Sequence, residues 1–210
     1  RPYVKGRREV VCFSISSSMS TAGNVMRLAA EELEASDLIT VVDSASLSTG
    51  IGLLVIEAAI MAENHCSAKE IVSAIETLKP KVRASFVVDT LTYLYRGGRC
   101  NAVAAMAGSV FKLHPKIVVE NGAMNADKKY RGKIAAVIMA YVKDMEEDLK
   151  DARRDRVFIT HSGCDRAIVD AVHSYLESLG VFHEILETQA GGVISSHCGP
   201  GTLGVLFIAK

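Results

Sequence analysis

The sequence predicts an α/β protein of two domains, and three observations carry that prediction. Short β-branched apolar runs alternate with stretches of helical spacing through the first half of the chain. The pattern then changes to a hairpin signal centred on Asn121-Gly122. Finally, 49% of the 210 residues are apolar, which at this length is enough for a real hydrophobic core.

Taken in order, "EVVCFSIS" (9–16) is expected to be a strand and residues 19–36 a helix, with Val25, Leu28, Ala29 and Leu33 at helical spacing. "LITVVDS" (38–44) repeats the strand pattern. It is followed by the apolar helix "GIGLLVIEAAIMAENHC" (50–66) and by an amphipathic one (68–82) that ends near Pro80. "RASFVVD" (83–89) reads as a third strand. Strand–helix–strand units of this length imply parallel pairing with right-handed crossovers. "NAVAAMAGSVFKL" (101–113) reads as a helix of small residues.

From His114 onward a strand, the Asn121-Gly122 turn and a second strand make the hairpin. A long helix is then expected over 132–152, a strand over 156–162, a helix over 165–180 stopped by Gly180, and strands over 182–188 and 203–210. The expected division is residues 1–112, an α/β ligand-binding domain, and residues 113–210, a smaller α/β domain closed by a core strand.

Composition excludes several classes of function. Twenty-four basic residues balance twenty-four acidic ones, so no net field draws the chain to nucleic acid or to an anionic membrane. No apolar stretch approaches the roughly eighteen residues needed to cross a bilayer, and stable membrane insertion is not expected. Five cysteines are scattered at 12, 66, 100, 164 and 198 without C-x-x-C or Cys/His ligand spacing. A reducing, cytoplasmic setting is expected, with no metal site.

The closing stretch "QAGGVISSHCGPGTLGVLFIAK" (189–210) contains "GPGTLG", which formally matches G-x-G-x-x-G. A dinucleotide fingerprint follows a strand and opens a helix, whereas these glycines precede a strand. A tight turn feeding a buried strand is the better reading. "RGK" (131–133) lacks the remaining residues of a phosphate loop, and no G-x-S-x-G elbow occurs. Ser196 and His197 are sequence neighbours that diverge on a helix or strand, so they form no nucleophile–base pair by themselves.

Two clusters remain. "SISSSMS" places Ser16, Ser17, Ser18 and Ser20 where a parallel strand ends, the edge at which ligands bind in such sheets. "ISSHCGPG" offers His197 and two hydroxyls among glycines. Helix capping by the serines and a core histidine are the alternatives for any one of these residues.

The succession "FSISSSMS", "VVDSASLSTGIGLLV", "FVVDTLTYLYRGGR", "YRGK" and "QAGGVISSHCGPGTLGVLFI" resembles the DegV family, relatives of the fatty-acid-binding subunit of bacterial fatty acid kinase. That resemblance implies a two-domain α/β fold with parallel or mixed sheets flanked by helices. It also implies a long-chain fatty acid held in an apolar tunnel, its carboxylate presented to a separate ATP-binding kinase subunit that makes an acyl phosphate. The chain itself would then be no enzyme, have no catalytic residue and need no cofactor beyond the bound fatty acid. The family's usual opening, a "TDS"-like strand end and a "TSQPS"-like loop, does not occur here, so the N-terminal domain is expected to be incomplete. Thr21 and Ala22 stand where relatives commonly read Gly-Thr.

Residue by residue, the resemblance puts Ser16, Ser17 and His197 at the carboxylate, and Arg99 and Arg131 near the phosphate or the kinase-facing surface. Leu53, Ile56, Met61, Met106 and Phe111, set among alanine and glycine, are candidates to line the tunnel; the same composition serves tight helix packing. The competing expectation is a phosphotransferase or hydrolase in its own right, with His197 as general base.

Overall fold

The computed structural model describes residues 2–99 and 113–210. The chain divides into two compact units, Arg1–Lys81 with Asn121–Ala123, and Val82–Glu120 with Met124–Lys210. The helix expected over 101–113, with Met106 and Phe111, lies outside the described residues except for Leu113.

In the first unit a short helix α1 (Pro2–Lys5) precedes β1 (Val10–Ser14), α2 (Ala22–Glu32), β2 (Ile39–Asp43), α3 (Ser48–Glu63) and α4 (Ala68–Leu78). The β-branched runs pair in parallel as expected, from Val10 opposite Ile39 to Ser14 opposite Asp43. Ser67 caps α4 by accepting from the Glu70 N–H, while the Glu70 carboxylate accepts from the Ser67 N–H at 2.8 Å. That reciprocal box fixes where α4 starts, and its buried face is Ile71 and Ile75. Helix α2 departs from its sequence pattern. Val25, Leu28 and Ala29 point to solvent, and the residues it buries are Gly23 and Ala30. A side chain at position 23 would approach Ser14 Oγ to 2.7 Å, so α2 meets β1 along its smallest residues.

The second unit is built on a six-stranded sheet, in chain order β3 (Val82–Val87), β4 (Leu113–Glu120), β5 (Ala123–Arg131), β6 (Ala152–Ser162), β7 (Glu184–Gln189) and β8 (Thr202–Ala209). Their order across the sheet is β5-β4-β3-β8-β6-β7. This corrects two expectations. Strand β3, expected to extend the first sheet in parallel, instead lies antiparallel between β4 and β8. The division therefore falls after Lys81 rather than at 112/113, because β3 finds its hydrogen-bond partners in the later half of the chain. The expected helix over 132–152 is two helices, α6 (Ile134–Asp144) and α7 (Glu146–Lys150), and β6 begins four residues earlier than the apolar run suggested.

The Asn121-Gly122 turn forms as expected. Both residues have positive φ, 51° and 78°, the type I′ geometry that matches strand twist. Strand β8 is buried at every residue but its last, between β3 and β6. Helices α6 and α8 (Arg166–Ser178) bring Ile138, Tyr141, Val172 and Leu176 onto Ile159, Leu203 and Val205, all fully buried. The remaining helices of this unit, α5 (Thr92–Arg96) and α9 (Gly192–Cys198), pack on each other.

Candidate functional site

The serine-rich edge of the first unit is a closed hydrogen-bond arrangement. Beyond the end of β1, the buried Ser16 receives its place from three bonds. Its N–H donates to the Ser46 carbonyl, its hydroxyl donates to the Gly122 carbonyl at 2.6 Å, and Ser18 N–H donates to that same hydroxyl oxygen. One hydroxyl has one proton, so the donor of Ser16 is already engaged. Ser17 is exposed, and its N–H donates to Asp43 Oδ2 at 3.2 Å. Asp43, at the end of β2, also accepts from Ala45 N–H at 2.9 Å. Burial pushes the Asp43 carboxyl up. The Ser17 hydroxyl, the Ala45 and Ser17 amides and the Lys79 charge outweigh that and hold it below the ordinary value. Ser46 Oγ is buried with no hydrogen-bond partner among the described residues.

Along α3, Leu53 is fully buried while Ile56 and Met61 are half-buried. Val55 and Ile60 on the same helix face solvent, so α3 is apolar on more sides than its own unit covers.

In the second unit, His197 sits in the last turn of α9, where the sequence suggested a turn. Its Nδ1 is buried without a hydrogen-bond partner among the described residues. Its ring lies against Gly97, the residue that ends α5, and Arg99 donates to the Gly97 carbonyl at 2.7 Å. Gly97 therefore joins His197 and Arg99. Burial pushes the neighbouring Cys198 thiol up to about 11, which leaves it protonated and inert at neutral pH. Arg131 is exposed at the end of β5. The next carbonyl, of Gly132, is 3.1 Å from Nε2 of the buried His114, whose Nδ1 faces Asp89 Oδ1 at 3.3 Å. Among the described residues no cluster of three or more His, Cys, Asp or Glu side chains could hold a metal ion. Nor is any described helix long and apolar enough to cross a membrane.

Of the residues singled out in the sequence, Ser16 is tied to Gly122 and Ser18 and its neighbour Ser17 to Asp43 in the first unit, and His197 and Arg99 both touch Gly97 in the second. Sequence reasoning missed Asp43, His114 and Gly97. No helix was expected over 92–96, and nothing local says that a histidine a hundred residues after Gly97 needs the space.

The DegV family model matches residues 3–210. The chain belongs to the DegV family. A DegV domain-containing protein of Clostridium perfringens is 33% identical over 210 residues, 98% of this chain and 72% of that protein. A fatty acid-binding protein of Thermotoga maritima is 30% identical, over 96% of this chain and 71% of that one. Among solved structures, a fatty-acid-binding DegV family protein from Thermus thermophilus superposes with a TM-score of 0.89 at 28% identity, covering 100% of this chain and 74% of that one. A stearic acid-binding protein from Eubacterium ventriosum gives 0.81 at 26%, covering 100% and 73%. The DegV assignment and the mixed α/β fold expected from the sequence are thus both established.

Proposed function

We propose that this DegV chain binds a long-chain fatty acid and presents its carboxylate to a separate ATP-dependent kinase subunit. The observation that carries the reading is the likeness to the Thermus thermophilus fatty-acid-binding protein along the whole chain. Physical chemistry supports the acyl part. Burying about fourteen methylenes at ~0.8 kcal/mol each gives roughly 11 kcal/mol of gross transfer free energy, enough to retain one chain. Leu53, Ile56 and Met61 on α3 are the acyl-lining candidates in the described residues, joined by Met106 and Phe111.

A carboxylate taken out of water needs charge-assisted donors. The hydroxyl of the exposed Ser17, once released from Asp43, and Nε2 of His197, whose Nδ1 is closed off against Gly97, are the donors proposed here. The role of Ser16 is to order the Ser18 turn, because its own proton goes to Gly122. Arg99 and Arg131 are proposed to steady the phosphate once a kinase delivers it. A carrier role also fits the sequence, which has no phosphate loop to hold ATP on this chain. The proposed setting is the cytoplasm.

The test supplies purified protein with ATP, magnesium and palmitate, with and without a bacterial fatty acid kinase subunit. Acyl phosphate is expected only with the kinase, and charge reversal at Arg99 or Arg131 is expected to slow its formation while sparing palmitate binding. Acyl phosphate formed by this chain alone, and abolished by His197→Ala, would instead establish a phosphotransferase with His197 as base.

A further inference from the structure

Helices α5 and α9 end in a reciprocal arrangement. Each stops on a glycine, Gly97 and Gly199, and each lays one ring on the glycine that ends the other. Tyr93 of α5 covers Gly199, and His197 of α9 covers Gly97. A methyl group at position 97 would stand 2.6 Å from His197 Cε1, and one at position 199 would stand 2.6 Å from Tyr93 Cε2. Both distances are far inside van der Waals contact, and the atoms met first, His197 Nδ1 and Tyr93 Cδ2, belong to rigid rings rather than flexible tips.

The two consecutive glycines of "RGGR" have different causes. Gly98 has φ 68°, its N–H donates to the Tyr95 carbonyl at 3.0 Å, and Arg99 N–H donates to the Leu94 carbonyl at 3.0 Å. That is a Schellman ending, which requires the left-handed conformation at residue 98. Nothing lies within 4 Å of where a Cβ at Gly98 would stand. Gly97 has φ −74°, a conformation open to any residue, so its backbone asks for no glycine.

We infer that residue 97 is glycine for the sake of His197, and that Gly97 is a positioning residue that sets the plane of the His197 imidazole for the carboxylate. Gly97 holds the ring by direct contact and holds Arg99 through its carbonyl, so one small residue registers both groups. Tyr93 completes the device by resting on Gly199, which holds the same C-terminal end of α9 that carries His197. This inference rests on the proposed reading of His197 as a carboxylate donor.

The experiment uses four proteins, the parent, Gly97→Ala, His197→Ala and the double variant, with laurate and dodecanol as probes of equal chain length. Gly97→Ala is expected to weaken laurate binding about tenfold, as much as His197→Ala does, because both cost the carboxylate one donor. Dodecanol, which has no carboxylate, is expected to bind all four within about twofold. The double variant should match His197→Ala, since removing the ring leaves room for the methyl. The melting temperature should likewise fall for Gly97→Ala in the parent and not in the His197→Ala background.

Laurate binding by Gly97→Ala equal to the parent, with His197→Ala impaired, would overturn the inference and leave the function standing. Unimpaired His197→Ala would remove His197 from the proposed site, and with it the positioning role of Gly97. If Gly97→Ala does not fold, the double variant is expected to fold. Failure of both would show that the backbone itself requires glycine at 97, which also overturns the inference.

Discussion

The two units of this chain treat their apolar residues in opposite ways. In the second, six strands and helices α6 and α8 enclose Tyr141, Ile159, Leu203 and Val205 completely. In the first, two parallel strands carry helices that leave Val25, Leu28, Val55 and Ile60 to solvent. A two-stranded sheet offers too little area to cover three amphipathic or apolar helices, whereas a wide sheet with a buried central strand covers its own. Cohesion is therefore concentrated in the second unit, and most of the exposed large apolar side chains lie in the first, with Tyr95 and Val193 the exceptions in the second. The apolar surface of the first is the kind an acyl chain can use.

This contrast can be broken by mutation, most sharply at Tyr141. Its hydroxyl donates to the Ser85 carbonyl at 2.8 Å and accepts from Val205 N–H at 3.0 Å, so it ties α6 to two strands, and burial raises the phenol above its ordinary pKa. Tyr141→Ala is expected to cost ~3–5 kcal/mol in urea denaturation. Tyr141→Phe should cost about 2 kcal/mol, from the polar groups it leaves unpaired. A loss below 1 kcal/mol for the alanine variant would contradict the assignment of the main core to the second unit.

Next in size is Ser16→Ala, which removes the donor to Gly122 and the acceptor for Ser18 and should cost ~1–2 kcal/mol. Ser17→Ala should leave the urea midpoint close to the parent's and instead weaken laurate binding. Reversal of these two outcomes would exchange the structural and binding serines.

A smaller effect depends on pH. Because the folded Asp43 carboxyl lies below its ordinary value of 3.8, its contribution to stability is fully present above that value and is lost as pH falls through the lowered one. Paired denaturation of the parent and Asp43→Asn from pH 7 to pH 3 should show a gap that narrows as pH falls. A gap that widens on acidification would refute the sign.

The smallest expected effect is that of Val25→Ser combined with Leu28→Ser on the exposed side of α2, within about 0.5 kcal/mol of the parent. A loss of several kcal/mol would mean that this face is covered in the folded protein.

These cases also show how much was legible in the sequence. Local signals were reliable where the cause was local, as at the Asn121-Gly122 hairpin, the Pro80 stop after α4 and the alternation of β1, α2 and β2. Strand β3 was recognised as a strand and assigned to the wrong sheet, because the partners that claim it are residues 116–119 and 203–208, and pairing over such distances leaves no local trace. Helix α2 shows the converse. Its apolar spacing at Val25 and Leu28 was visible, but the face it buries is defined by Gly23 and Ala30 against Ser14. In the candidate site, the types Ser17 and His197 were readable, and their constraints were not. Gly97 was not singled out at all, and only the fold reveals the imidazole resting on it.

The central claim, that this chain carries a fatty acid, is tested most directly by mass spectrometry of organic extracts from the protein purified without added lipid. A long-chain fatty acid at close to one per protein, released only on denaturation and exchangeable for added palmitate, is the predicted result. Extracts free of fatty acid, together with no binding of added palmitate, would contradict it.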